Sequence, residues 1–160
     1  MNDKPTSAAN SLPPSMDAPI YVPSNPEADA AAAESHFQEL RKLRAERREI
    51  EAKGREALGR LMKVAMRDTG QSRKIASFLL SCYNGQRFPF DLTDFRGLDF
   101  SLFADCLTVL KMDYQPAQEV HVYFDHGGEL FERLARDHGI TDVLRLKHEC
   151  SELKARLGSD

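Results

Sequence analysis

The chain has no tryptophan and only three cysteines, Cys82, Cys106 and Cys150, with no C-x-x-C pair among them. A scattered odd set makes neither a disulfide frame nor a thiolate zinc site. On apolar helix faces these residues read as reduced, packed thiols, and burial makes such thiols inert. No stretch reaches the roughly 20 successive apolar residues that a membrane-spanning helix needs. The opening MNDKPTSAANSLPPSMDAPIYVPSNP lacks the basic-then-apolar order of a signal peptide. Neither charge sign dominates: the net charge of -3 gives no global pull toward nucleic acid or acidic lipid. Gly-rich phosphate loops, a G-x-S-x-G elbow and a dinucleotide fingerprint are all missing. These gaps lead us to expect a cytoplasmic protein with no cofactor and no membrane partner.

What is there is organised in four pieces. Residues 1–26 are rich in Pro, Ser, Ala and Asn and cannot bury enough surface to offset their ordering entropy, so they read as a disordered tail. Residues 27–56 read as a charged helical extension, 57–140 as a core helical domain and 141–160 as a C-terminal amphipathic helix. Leu40, Leu43, Arg47, Ile50, Gly54, Ala57, Leu61 and Val64 follow steps of three and four, a heptad seam interrupted by Arg47 and Gly54. A cleaner seam runs through Val143, Leu146, Cys150, Leu153 and Leu157, with Thr141 placed to cap it. Between them, Ile75, Phe78, Leu79 and Cys82 form one helical stripe. The segment FSLFADCLTVLKM has little polar face and is expected to be the most buried helix. Val120, Val122 and Phe124 alternate, so a minor short β-pair with Arg87–Leu92 is also considered.

Asp68-Thr69-Gly70 matches the triplet that carries the carboxylate of aspartic proteases. That chemistry needs a loop between apolar strands and two carboxylates sharing a proton. Here both flanks are helical, so the triplet reads as a helix stop and cap. The helix start at Thr69, Gly70 and Gln71, with Arg73 one turn in, is a candidate anion site. Arg73, Lys74, Ser77, Ser81 and Asn84 form a polar face suited to a partner or to a nucleic-acid groove. His121, Asp125 and His126 are the weak candidates for a metal; with no closed ligand set, no metal site is assigned. The basic stretch Arg41–Arg67 has Glu34, Glu39, Glu46, Glu49, Glu51 and Glu56 among or beside its cations, the pattern of a solvated helix face.

Taken in order, DTGQSRKIASFLLSCYNG, FDLTDFRGLD and EVHVYFDHGGELFERLARDHG resemble an uncharacterised domain family of proteobacteria. The resemblance spans about Leu58 to Ile140. It implies a gene setting near plasmid or integrated-element genes, and no assigned activity or catalytic residue. It also implies Trp in relatives at the positions of Tyr83 and His138, which suits a packing role for Tyr83 and speaks against a metal role for His138.

The expected fold is mainly α: a compact multi-helix domain bracketed by long N-terminal and C-terminal amphipathic helices. The two seams are expected to pair antiparallel, with each other or with a second copy. The expected function is a non-enzymatic interaction or regulatory module, bound to a protein partner or to itself through these seams. A DNA-binding regulator using the Arg73 helix or the basic N-terminal helix is the alternative. A small metal-dependent enzyme is the second alternative.

Overall fold

A computed structural model describes residues 25–158, and the chain divides between Leu40 and Arg41 into two compact units. All but the last two residues of the expected tail lie outside the described residues. In the first unit, helix α1 (Pro26–Ala65) begins with Asn25 Oδ1 accepting from Glu27 N at 3.1 Å. Glu27 and Asp29 occupy its first turn, where carboxylates oppose the helix dipole. From Glu27 to Glu39 every side chain is exposed.

The second unit is mainly α, as expected. It comprises the rest of α1, then α2 (Gly70–Asn84), α3 (Phe100–Asp113), α4 (Gly127–Asp137) and α5 (Val143–Leu157). Ala57, Leu58, Leu61, Met62 and Ala65 of α1 enter one core with Ile75, Ala76, Phe78, Leu79 and Leu80 of α2. Cys106, Val109 and Met112 of α3, Phe131, Leu134 and Ala135 of α4, and Phe88 and Val120 from the connecting segments complete it. Fully burying a Leu, Ile or Phe side chain contributes about 1.5–3 kcal/mol, so this cluster is the main stabilising term. The interrupted seam of α1 is thus an inward face of its own domain from Gly54 onward. Gly54 lies so close to α3 that a Cβ there would collide with the Cβ, Cγ and Sδ of Met112. Arg47, the other irregular seam residue, donates from Nη1 to Gln115 Oε1 at 2.8 Å.

Asp-Thr-Gly is a helix start. Thr69 has extended backbone and caps α2: its Oγ1 accepts from Ser72 N at 3.2 Å, and Ser72 Oγ accepts from Thr69 N at 3.3 Å. This reciprocal box satisfies two amide donors. Between α2 and α3, Phe90 and Phe95 of the connecting segment stack with Phe78 and Phe103, at ring separations of 4.8 to 5.7 Å.

Four expectations need correction. No strand occurs among the described residues, so the β-pair is not formed: Leu92–Gly97 and Val120–Tyr123 are 3₁₀ turns. In the second turn Phe124 N bonds His121 O and Val122 N bonds Glu119 O, so period three replaces period two. Val120 is buried and Tyr123 packs on the core, whereas Val122 points to solvent. Helix α3 is not the most buried: only Cys106, Val109 and Met112 are buried, while Phe100 and Tyr114 are 82 % and 83 % exposed. Its partners cover one face and leave another apolar face bare. Asp142, not Thr141, caps α5, its Oδ1 accepting from Arg145 N at 3.0 Å. Cys82 and Cys106 are packed, and burial pushes both thiols up to about 12, but Cys150 is exposed.

The two α1 glycines make a paired test. Gly54→Ala forces a rearrangement against Met112 and is expected to lower unfolding free energy by about 1–3 kcal/mol in urea titrations. Gly59→Ala meets nothing within 4 Å and is expected to gain up to about 1 kcal/mol from helix propensity.

Candidate interaction surface

At 100° per residue, Phe100, Phe103, Leu107 and Leu110 of α3 and Tyr114, which caps its C-terminus in helical backbone, fall within an arc of about 80°. Phe103 is half-buried; the other four are exposed. Beside this stripe runs a groove of roughly 560 Å³ lined by Glu46, Glu49, Ile50 and Lys53 of α1 and Leu107, Thr108 and Lys111 of α3. Lys53 Nζ bonds Glu49 Oε1 at 2.6 Å, and this bond holds the Glu49 carboxyl below its ordinary pKa. The groove therefore has an apolar floor and a charged rim.

A second bare face belongs to α5, which has no buried residue. Its orientation is set at its first turn by Arg87. The guanidinium bonds both Glu132 oxygens through its two terminal nitrogens, the second at 3.0 Å, and donates from Nε to Asp142 Oδ2 at 2.8 Å. Arg87 O accepts from Val143 N at 2.9 Å, and Tyr83 Oη donates to Glu132 Oε1 at 3.3 Å. The Arg87 hydrogen bonds hold Glu132 below its ordinary pKa, against partial burial. Asp142 is lowered first by the Arg145 amide and then by Arg87. Bidentate Arg–carboxylate geometry of this kind fixes orientation. The cluster joins residues 45 and 55 positions apart, and no local pattern announces it. His138 is a similar case: its Nε2 lies 2.6 Å from Ala65 O at the end of α1 and must donate, since a carbonyl only accepts.

The residues singled out from the sequence fall as follows. Arg73 is exposed, and Lys74 Nζ lies 3.7 Å from Asp94 and against Gly97. Ser77 and Ser81 are half-buried, and Asn84 Oδ1 accepts from Arg87 N at 3.1 Å. At the helix start Thr69 is engaged in the capping box. Gln71 holds Asp99, donating to Oδ2 at 2.9 Å and accepting from Asp99 N at 2.8 Å. His121 stacks edge-on against Tyr83 with ring centroids 5.1 Å apart, and its Nδ1 is buried without a partner. Asp125 and His126 are exposed, His126 in left-handed backbone with φ of 51°. Among the described residues no group of three or more His, Cys, Asp or Glu is placed to hold a metal, and no helix is long and apolar enough to cross a membrane.

Arg87→Met removes the pin. It is expected to cost roughly 2 kcal/mol, between the exposed and buried limits for ion pairs, and to speed amide exchange in the first turn of α5. The pair also sets a pH dependence. The Glu132 and Asp142 pKa values are depressed on folding, so their contribution is complete above the unfolded values and fades as pH falls through the folded ones. Between about pH 5 and pH 3 the wild type should lose more stability than Arg87→Met, measured by urea midpoints at each pH.

No curated protein and no solved structure matches the chain. Residues 55–139, more than half of the chain, match the model of one protein family. That span runs from the last turns of α1 to the end of α4; it contains nearly all of the core, and also Tyr83, Arg87 and Glu132 of the polar joint. The chain belongs to the Family of unknown function (DUF7673).

Proposed function

We propose that the chain is a non-enzymatic, cytoplasmic helical module that acts by binding protein through apolar helix faces. The observation that carries this reading is the bare stripe of α3. Phe100 and Tyr114 stand at its ends with Leu107 and Leu110 between them, beside the groove rimmed by Glu46, Glu49, Lys53 and Lys111. Contiguous apolar surface with a polar rim is the usual form of a protein-binding site. The α5 seam offers a second such face. Three unpaired thiols suit a reducing compartment. A regulatory role within a mobile element is the setting that the family resemblance suggests.

The nucleic-acid reading has less behind it. Asp94 sits against Lys74 and Asp99 against Gln71, so carboxylates share the α2 surface that a phosphate backbone would have to approach.

The α3 face is tested with Leu107→Glu/Leu110→Glu in the full chain. Binding of a solvent-sensitive hydrophobic dye is expected to fall severalfold, with helix content unchanged and the unfolding free energy lowered by about 1–3 kcal/mol, because each leucine is still about half covered. Dye binding that stays at the wild-type level means that the stripe is no binding surface and removes the basis of this reading.

A further inference from the structure

We infer that α5 is a parallel two-stranded dimerisation helix whose occupant is α5 of a second copy of this chain, with Cys150 facing its own counterpart. This deepens the interaction reading above and rests on it.

The seam itself selects the partner. Counting a heptad from Val143, the a positions hold Val143, Cys150 and Leu157 and the d positions hold Leu146 and Leu153. Leu at both d positions with Val143 at the first a position fits the two-stranded pattern, while Cys150 and Leu157 at the other two leave the direction to the flanking charges. Leu146, Leu153 and Leu157 are about half exposed or more, so the domain does not use this face. Where α5 leaves the domain, Leu146 and Glu149 line an open groove of roughly 370 Å³ with Phe88 and Ile140 rather than packing into it.

Charge decides the direction. The e positions are Lys147 and Lys154; the g positions are Asp142, Glu149 and Arg156. In a parallel pair each g residue meets the e residue five positions on in the other helix. Glu149 then meets the second copy's Lys154, and Asp142 meets its Lys147. By two-fold symmetry each contact occurs twice. Asp142 is held by Arg87 in the half-buried joint, whereas Glu149 is held by Arg145 in an exposed i,i+4 pair at 2.8 Å that Lys154 of the second copy can share, so the Glu149–Lys154 contact is the one left to discriminate. Antiparallel overlap instead sets Lys147 against Lys154 and Glu149 against its own copy, two like-charge contacts; its one opposite-charge contact, Asp142 with Arg156, has to compete with Arg87 for Asp142. Two heptads are marginal for an isolated coil. Here Arg87 and the Asp142 cap hold the first turn in helical geometry, so less ordering entropy opposes pairing.

The experiment uses the full chain. Sedimentation equilibrium should give a concentration-dependent dimer. Leu153→Glu should weaken it at least tenfold, with helix content unchanged by circular dichroism. Mild oxidation should link wild-type dimers covalently and leave Cys150→Ser unlinked, because parallel pairing puts the two exposed thiols opposite each other. Lys154→Glu should weaken the dimer about fivefold, and Glu149→Lys/Lys154→Glu should restore it. Three results overturn the inference. A dimer tightened by Lys154→Glu and not linked through Cys150 is antiparallel. A dimer indifferent to Leu153→Glu but lost in Leu107→Glu/Leu110→Glu pairs through α3. A wild type that stays monomeric throughout has no dimer to explain. The last two leave the α3 reading standing, because its dye measurement does not involve α5.

Discussion

The second unit depends on one close approach, that of the lower half of α1 to the helices it organises. Gly54, Ala57 and Ala65 are small, and all three are buried. At Gly54 the α1 backbone comes against the Met112 side chain, a distance no other residue permits without a shift. Around this contact Leu58, Leu61 and Met62 reach into a core shared with α2, α3 and α4. Dispersion and burial both fall steeply with separation, so a spine built from small residues gains contact that larger side chains would hold apart.

Polar pins then fix what the core alone leaves free. Arg87 engages Glu132 on α4 and Asp142 at the start of α5, and its carbonyl takes the Val143 amide. His138 takes the last carbonyl of α1. Each satisfies a group at a helix end that has no partner within its own helix. Clusters of Arg, Tyr and carboxylates also occur in catalytic sites. Here Nε and both terminal nitrogens of the guanidinium are engaged by neighbouring carboxylates, so the Arg87 cluster works as a joint. The faces left without partners are apolar ones, on α3 and α5.

Much of this was legible in the chain. Helical periodicity and a cap within Asp68-Thr69-Gly70 led to α2, and the three-and-four spacing of Val143 to Leu157 led to α5. Other signals were ambiguous for physical reasons. Arg47 and Gly54 look like flaws in a coil because periodicity reports which face is apolar, not what covers it. The run of apolar residues in α3 indicated burial all round, yet three inner residues suffice to pack the domain. Val120, Val122 and Phe124 alternate, but an isolated four-residue segment with no strand to pair with satisfies its amides locally in a 3₁₀ turn. The Arg87 cluster had no sequence signal, because its members meet only when α2, α4 and α5 are packed.

The sequence by itself determined which segments are helical, where several of them start and which sides are apolar, because propensity, capping and period act over a few residues. Tertiary structure decided which apolar sides became core and which stayed bare, and which charges became joints. Those outcomes depend on distances between residues dozens of positions apart, and only the packed chain sets them.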